Sequence, residues 1–113
     1  GDNLASVLIY DPRSGTTRQG PRMREGRSGF AVAQIGGVLV AAGGESLVPP
    51  QLIASAEAYD PISGWQTIER LRVAVHGAGG AAHDGDFYLL TGSVIAGGIL
   101  NPGRVQALDF APP

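Results

Sequence analysis

Gly37-Val38-Leu39-Val40-Ala41-Ala42-Gly43-Gly44-Glu45 is the stretch on which the reading of this chain turns. It is an apolar run that stops at two glycines. It is too short to cross a bilayer and too uniform for an amphipathic helix. It therefore reads as a strand buried on both faces. The glycine pair lets the backbone turn sharply, or approach another strand where a Cβ would clash. A degraded copy follows at Gly85-Asp86-Phe87-Tyr88-Leu89-Leu90-Thr91-Gly92-Ser93. A buried strand that recurs along a chain implies similar units stacked on one another.

Other landmarks give the period. Tyr10-Asp11-Pro12 recurs 49 residues later at Tyr59-Asp60-Pro61, and Leu108-Asp109 lies 49 residues further on. Met23-Arg24 returns as Leu71-Arg72 after 48 residues, the same offset as from Gly37 to Gly85. Between the landmarks lie short β-rich runs separated by turn residues. Asp11-Pro12-Arg13-Ser14-Gly15 and Asp60-Pro61-Ile62-Ser63-Gly64 both carry the proline and glycine of a tight turn. Strands are expected over 4–10, 16–19, 28–35, 38–42, 54–59, 65–68, 76–83, 86–90 and 104–110. The segments 45–52, centred on Pro49-Pro50, and 93–102 read as loops. No 3.6-residue period appears, so no helix is expected. A repeat of ~50 residues with four short strands is the signature of propeller blades.

Composition agrees with a packed β domain. The 113 residues are 43% hydrophobic and only 16% charged, which excludes a disordered polar segment. The 18 glycines follow no collagen period and read as turns and strand ends. Net charge is −2, and the one basic grouping is Arg22, Arg24 and Arg27 around a turn, so no nucleic-acid partner is expected. The absence of cysteine excludes disulfides and thiolate metal sites and leaves the compartment undetermined. No apolar run reaches the ~20 residues of a membrane helix, and no membrane partner is expected. The N-terminus lacks the pattern of a signal peptide.

Taken together, these residues resemble the kelch repeat. The fullest copy runs Arg27-Ser28-Gly29, then Val38 to Ala42 with Gly43-Gly44, then Glu57-Ala58-Tyr59-Asp60-Pro61, then Gly64-Trp65. The other copies depart from it. Thr16 stands where Trp65 would fall, Val75 replaces the arginine before His76-Gly77, Thr91-Gly92 replaces the glycine pair, and Leu108 replaces the tyrosine. The resemblance implies an all-β fold: a partial kelch-type β-propeller of four-stranded antiparallel blades. Residues 1–20 would supply the outer strands of a preceding blade, 21–69 a complete blade, and 70–113 a blade without its outermost strand. Nine strands at four to a blade make roughly two and a quarter blades, and propellers close with ~4–8. Two readings stay open: a piece of a longer propeller, or several copies forming a ring.

By the same resemblance, Gly43, Gly44, Tyr59, Asp60 and Trp65 are structural, Trp65 as a wedge between blades, with Tyr10 and Tyr59 as buried rings. Arg27 and His76 open inner strands, which line the central channel in this fold, and are the candidate channel contacts. Arg27 has an alternative in pairing with Glu25, Glu45 or Glu57. The segments following the second strand of each unit emerge on one face and carry aliphatics: Leu47, Val48, Leu52 and Ile53 in one, Val94, Ile95, Ile99 and Leu100 in the other. These are the candidate binding loops. His83-Asp84-Gly85-Asp86 reads as a polar hairpin tip, since its spacing fits no usual ligand pattern. No nucleophile elbow and no placed carboxylate pair is present. No catalytic residue, metal or cofactor is assigned. The function implied is a non-catalytic scaffold that binds a protein partner or further blades, of this chain or of other copies. The alternatives are part of a sugar-modifying propeller enzyme with a small sugar ligand, mutarotase-like rather than copper-dependent, or a self-assembling ring module.

Overall fold

The computed structural model describes residues 3–109. Eleven strands and no helix occur among them. β1 (Val7–Asp11) and β2 (Thr16–Gly20) form an antiparallel hairpin. β3 (Ala31–Ile35), β4 (Val38–Ala42), β7 (Ser55–Asp60) and β8 (Gly64–Arg70) form a four-stranded antiparallel sheet in the order β3-β4-β7-β8. β9 (Gly79–His83), β10 (Asp86–Leu90) and β11 (Val105–Asp109) form a third sheet in the order β9-β10-β11. Within each sheet the strands lie side by side in chain order, each antiparallel to the next, so the two larger sheets are meanders.

Two of the expected strands, 38–42 and 86–90, match the observed limits. Others are shorter at their starts. Ser28 and His76 each make only an isolated bridge, with Glu45 and Ser93, before the inner strands begin. Phe110, expected to end the last strand, lies outside the described residues. The expected loop at 45–52 is instead a small hairpin, β5 (Glu45–Leu47) with β6 (Pro50–Leu52), turning at the cis Val48–Pro49 bond. It accounts for the two strands beyond the nine expected. Pro50 opens β6 rather than breaking it, because a proline is tolerated as the first residue of an edge strand.

The sheets stack through two apolar layers. Ala31, Ile35, Val40, Ala42, Ala56 and Ala58 of the four-stranded sheet meet Phe87, Leu89 and Leu108 of the third. On the opposite side, Met23, Ala41 and Trp65 pack with Ala5, Val7 and Tyr59, joining the sheet to the first hairpin. β4 is therefore covered on both faces only over Val40–Ala42; Leu39 lies open. β10 is covered on one face: Phe87 and Leu89 are buried, while Leu90 is 41% exposed. The expectation of two covered faces fails there because no described strand packs on the far side of the third sheet.

The glycine pair closes the gap between the stacked sheets. Gly43 and Gly44 have φ of 72° and 104°, in the left-handed region. A Cβ on Gly43 would sit 2.7 Å from Val75 O, and one on Gly44 2.7 Å from Ser28 O. Gly44 N–H donates to Val75 O at 2.9 Å, a main-chain bond from one repeat to the next. In the later copy Thr91 holds the first of these positions at φ 64°. A β-branched residue there carries strain of about 1–2 kcal/mol.

The turn after β7 is organised by Asp60, whose Oδ1 accepts from Ile62 N–H at 2.7 Å and Ser63 N–H at 2.9 Å. The bond from Ser63, then that from Ile62, holds this carboxyl below its usual range. Trp65 Nε1–H donates to Pro21 O at 3.0 Å, and its ring lies 5.4 Å from Tyr59. Tyr10 does not repeat this arrangement. Thr16 supplies no indole for it to stack on, and the tyrosine is 62% exposed rather than buried.

Thr91→Gly relieves the strain at that turn but frees the unfolded chain. A net gain of roughly 0.5–1 kcal/mol in urea unfolding is expected. A loss of stability would show that the threonine side chain makes a compensating contact.

Candidate functional site

Arg27 and Glu57 form the most deeply buried charged pair among the described residues. Their side chains are 0% and 1% exposed, with Arg27 Nη2 2.8 Å from Glu57 Oε2. A guanidinium has five N–H donors, and all five are used here. Nε and Nη2 donate to Glu57 Oε2 at 3.2 and 2.8 Å, Nη1 to Gly43 O and Ser55 O at 2.9 and 2.8 Å, and Nη2 also to Ser55 Oγ at 2.7 Å. Glu57 also accepts Arg24 N–H at 2.6 Å and Glu25 N–H at 3.2 Å. Glu25 lies at 3.7 Å from the guanidinium and accepts from Ser55 Oγ. Of the three carboxylates within sequence reach of Arg27, the fold sets Glu57 against it and leaves Glu25 on the rim. No N–H of Arg27 is left for a ligand.

The repeat supplies its own comparison. Gln106 lies 49 residues after Glu57, and Val73 lies 48 after Glu25, the offset that also relates Arg24 to Arg72. Gln106 Oε1 accepts Val73 N–H at 3.1 Å, as Glu57 accepts Glu25 N–H, while its Nε2 donates to Val73 O at 2.8 Å. Val75 holds the place of Arg27 and is 1% exposed. Where the buried cation has gone, the buried anion has become a neutral amide. The clamp on the incoming main chain survives, and no charge is left unpaired.

His76 sits elsewhere, between two loops. Its Nε2 lies 2.8 Å from Ile95 O and 3.1 Å from Gly98 O, and its Nδ1 3.2 Å from Glu45 Oε1. Oxygens thus face both ring nitrogens. The other carboxylate oxygen of Glu45 accepts Gly97 N–H at 2.6 Å. Glu45 opens the β5–β6 hairpin, and Gly97 sits in the loop between β10 and β11. One carboxylate and one imidazole thus tie the two candidate binding segments together. Arg27 and His76 are not brought to a common site.

The aliphatic residues of those segments separate into two groups. Leu47, Val48, Ile95, Ile99 and Leu100 are exposed, Ile99 at 92%. Ile53 is 6% exposed and points inward, its N–H bonded to Gly44 O. Val94 packs against the core and Leu52 is half-buried. Ile53 and Val94 follow or precede a strand closely enough to share its packing, so they support the surface rather than present it. Ser93 shapes the second segment, with its Oγ accepting Ile95 N–H at 3.2 Å and Leu100 N–H at 3.0 Å. The part played by Glu45 was not read from sequence; an acid directly after the glycine pair is its only local signal. His83 and Asp84 lie exposed at the β9–β10 turn.

Residues 26–64 match the model of the Kelch motif. Those residues form a kelch repeat. It is 34% identical over 88 residues to an F-box/kelch-repeat protein of Arabidopsis thaliana, covering 77% of this chain and 21% of that protein. A second F-box/kelch-repeat protein of the same organism is 29% identical over 89 residues, 78% of this chain and 23% of its own length. The chain thus spans about a fifth of the length of these relatives. Among solved structures, that of YjhT superposes with a TM-score of 0.68 at 17% identity, over 78% of this chain and 27% of that one. The kelch chain folds as part of a β-propeller, and its four-stranded sheet is a blade.

Arg27→Val strands Glu57 and should lower stability by about 3–5 kcal/mol. The pair Arg27→Val with Glu57→Gln copies the natural Val75–Gln106 arrangement and should recover at least half of that loss in urea unfolding. Equal destabilisation by both variants would show that the charge pairing is not what matters. Glu45→Ala should speed hydrogen exchange of the Gly97 amide by at least about tenfold, the effect of losing a charge-assisted bond. Unchanged exchange would mean that the loop holds itself.

Proposed function

We propose that this chain is a non-catalytic binding scaffold that recognises a protein through its loop face. The supporting observation is the aliphatic surface on the loops that follow the second strands. Leu47 and Val48 lie exposed at the hairpin tip, and Ile95, Ile99 and Leu100 lie exposed on the corresponding loop of the next blade. The loops touch: a Cβ on Gly97 would lie 3.5 Å from Leu47 Cδ2. The Glu45 bonds to His76 and Gly97 hold them in register. Exposed aliphatic groups held on a rigid support lose little freedom on binding, the condition under which an apolar patch gives affinity. The F-box/kelch-repeat relatives are compatible with a protein partner.

The test compares captured proteins rather than asking whether anything is captured. Leu47→Asp with Ile99→Asp should abolish enrichment of the partners retained by the parent chain. Ile62→Asp, at an equally exposed aliphatic on the opposite end of the blade, should leave them in place. Partners that survive the loop variant, or that Ile62→Asp removes, would overturn the assignment.

A further inference from the structure

Charge is missing from the face formed by the loops after β4 and β10. Residues 46–53 and 94–103 carry no ionisable side chain. The acid at their base, Glu45, is engaged on both oxygens, by His76 Nδ1 at 3.2 Å and by Gly97 N–H at 2.6 Å, and its side chain is 13% exposed. An acidic or basic ligand therefore meets no opposite charge on the loops. Aliphatic groups face solvent instead. Leu47 and Val48 remain 50% and 64% exposed although the loop of the next blade is in place, with its Gly97 against Leu47.

The main chain of the second loop is used up inside the fold. Ser93, Val94 and Gly98 donate their N–H to His76 O, Leu100 O and Ile95 O. Ile95 and Leu100 donate theirs to Ser93 Oγ, and Gly97 donates to Glu45. The carbonyls of Ile95 and Gly98 each face both His76 Nε2 and Ser93 Oγ, at 2.8–3.2 Å. In the first loop, β5 and β6 pair with each other, and Glu45 exchanges both main-chain bonds with Ser28. Pro50 has no N–H to offer. An extended peptide that adds as a strand needs a run of free donors and acceptors. Among the described residues, neither loop presents one. A helix satisfies its own main chain and docks through side chains alone, and the apolar stripe it presents is as uncharged as these loops. Neither loop carries the Lys, Arg, Trp or Tyr that anchor a segment at a membrane surface.

Resting on the loop-face reading, we propose that the seam between the two loops binds the apolar stripe of an amphipathic helix in a partner protein. Leu47 and Val48 are its contacts on one loop, and Ile95 and Ile99 those on the other.

The probe is a display library of peptides of about 18 residues, roughly five helical turns, selected on the full chain. Its two halves carry the same apolar residues and no net charge. One half sets them at helical spacing in an alanine-rich frame, the other at alternate positions in a threonine-rich frame. Selected clones should come from the helical half in about tenfold excess, and should bind L47D/V48D and I95D/I99D at least about tenfold more weakly. Both variants should unfold in urea as the parent does, which separates a lost contact from a lost fold. I62D should bind as the parent does. Purified peptides should gain helical circular dichroism on binding, and their affinity should change by less than about twofold between low and high salt, since no charge pair is formed.

Excess clones from the strand half, equal binding by both aspartate variants, or affinity that falls with salt would overturn the proposal. So would the absence of any selectable clone. Binding of the chain to neutral phosphatidylcholine vesicles that L47D/V48D abolishes would make the occupant a membrane, and a dimer in sedimentation that the same variant dissociates would make it a second copy; either result sinks the helix. If the strand half is selected while captured proteins still depend on the loops, the loop-face reading stands and the helix alone fails. If captured proteins survive the loop variants, the loop-face reading fails with it.

Discussion

A guanidinium and a carboxylate removed from water must satisfy every donor and nearly every lone pair, or the structure around them fails. Arg27 and Glu57 meet that demand by joining three segments at once. The cation ties the end of β4 at Gly43 to the start of β7 at Ser55, and the anion ties β7 to the incoming chain at Arg24 and Glu25. Those are the places where a blade must close on its neighbours. The apolar layers by themselves are non-directional. Hydrophobic burial holds the blades together, and the buried pair decides how the strands join.

The following repeat shows that the demand is for satisfaction and not for charge. With Val75 in place of arginine, the position opposite is the half-buried Gln106, whose amide still grips Val73. One chain thus carries an ionic and a neutral solution to the same junction. The neutral version has fewer bonds across the blade. It accompanies the other relaxed features of that unit: Thr91 at a left-handed position, and Leu108 where the complete blade has a tyrosine stacked on tryptophan.

Function, on this view, is placed at the margins of a rigid stack. The loops after β4 and β10 cannot share the ladder, so they are free to carry Leu47, Val48, Ile95, Ile99 and Leu100 outward. Even there a polar tie sets the geometry, since Glu45 and His76 reach between blades.

Repetition made the architecture readable from the residues alone. The strands at 38–42 and 86–90, the turn at Asp60 and the glycine pair recur at fixed spacing, and a spacing that recurs constrains local structure wherever it appears. Features that belong to no repeat escaped. The β5–β6 hairpin is built around two prolines that ordinarily signal a loop, and Tyr10 has the motif of Tyr59 without the tryptophan that would cover it. The choice of Glu57 among three acids for Arg27, and of Glu45 as the tie between loops, was also left open by sequence. Pairing across 30 or 52 residues depends on which backbones the stacking brings together. Local periodicity specifies strands and turns; only packing in three dimensions decides which side chains meet and which are left facing water.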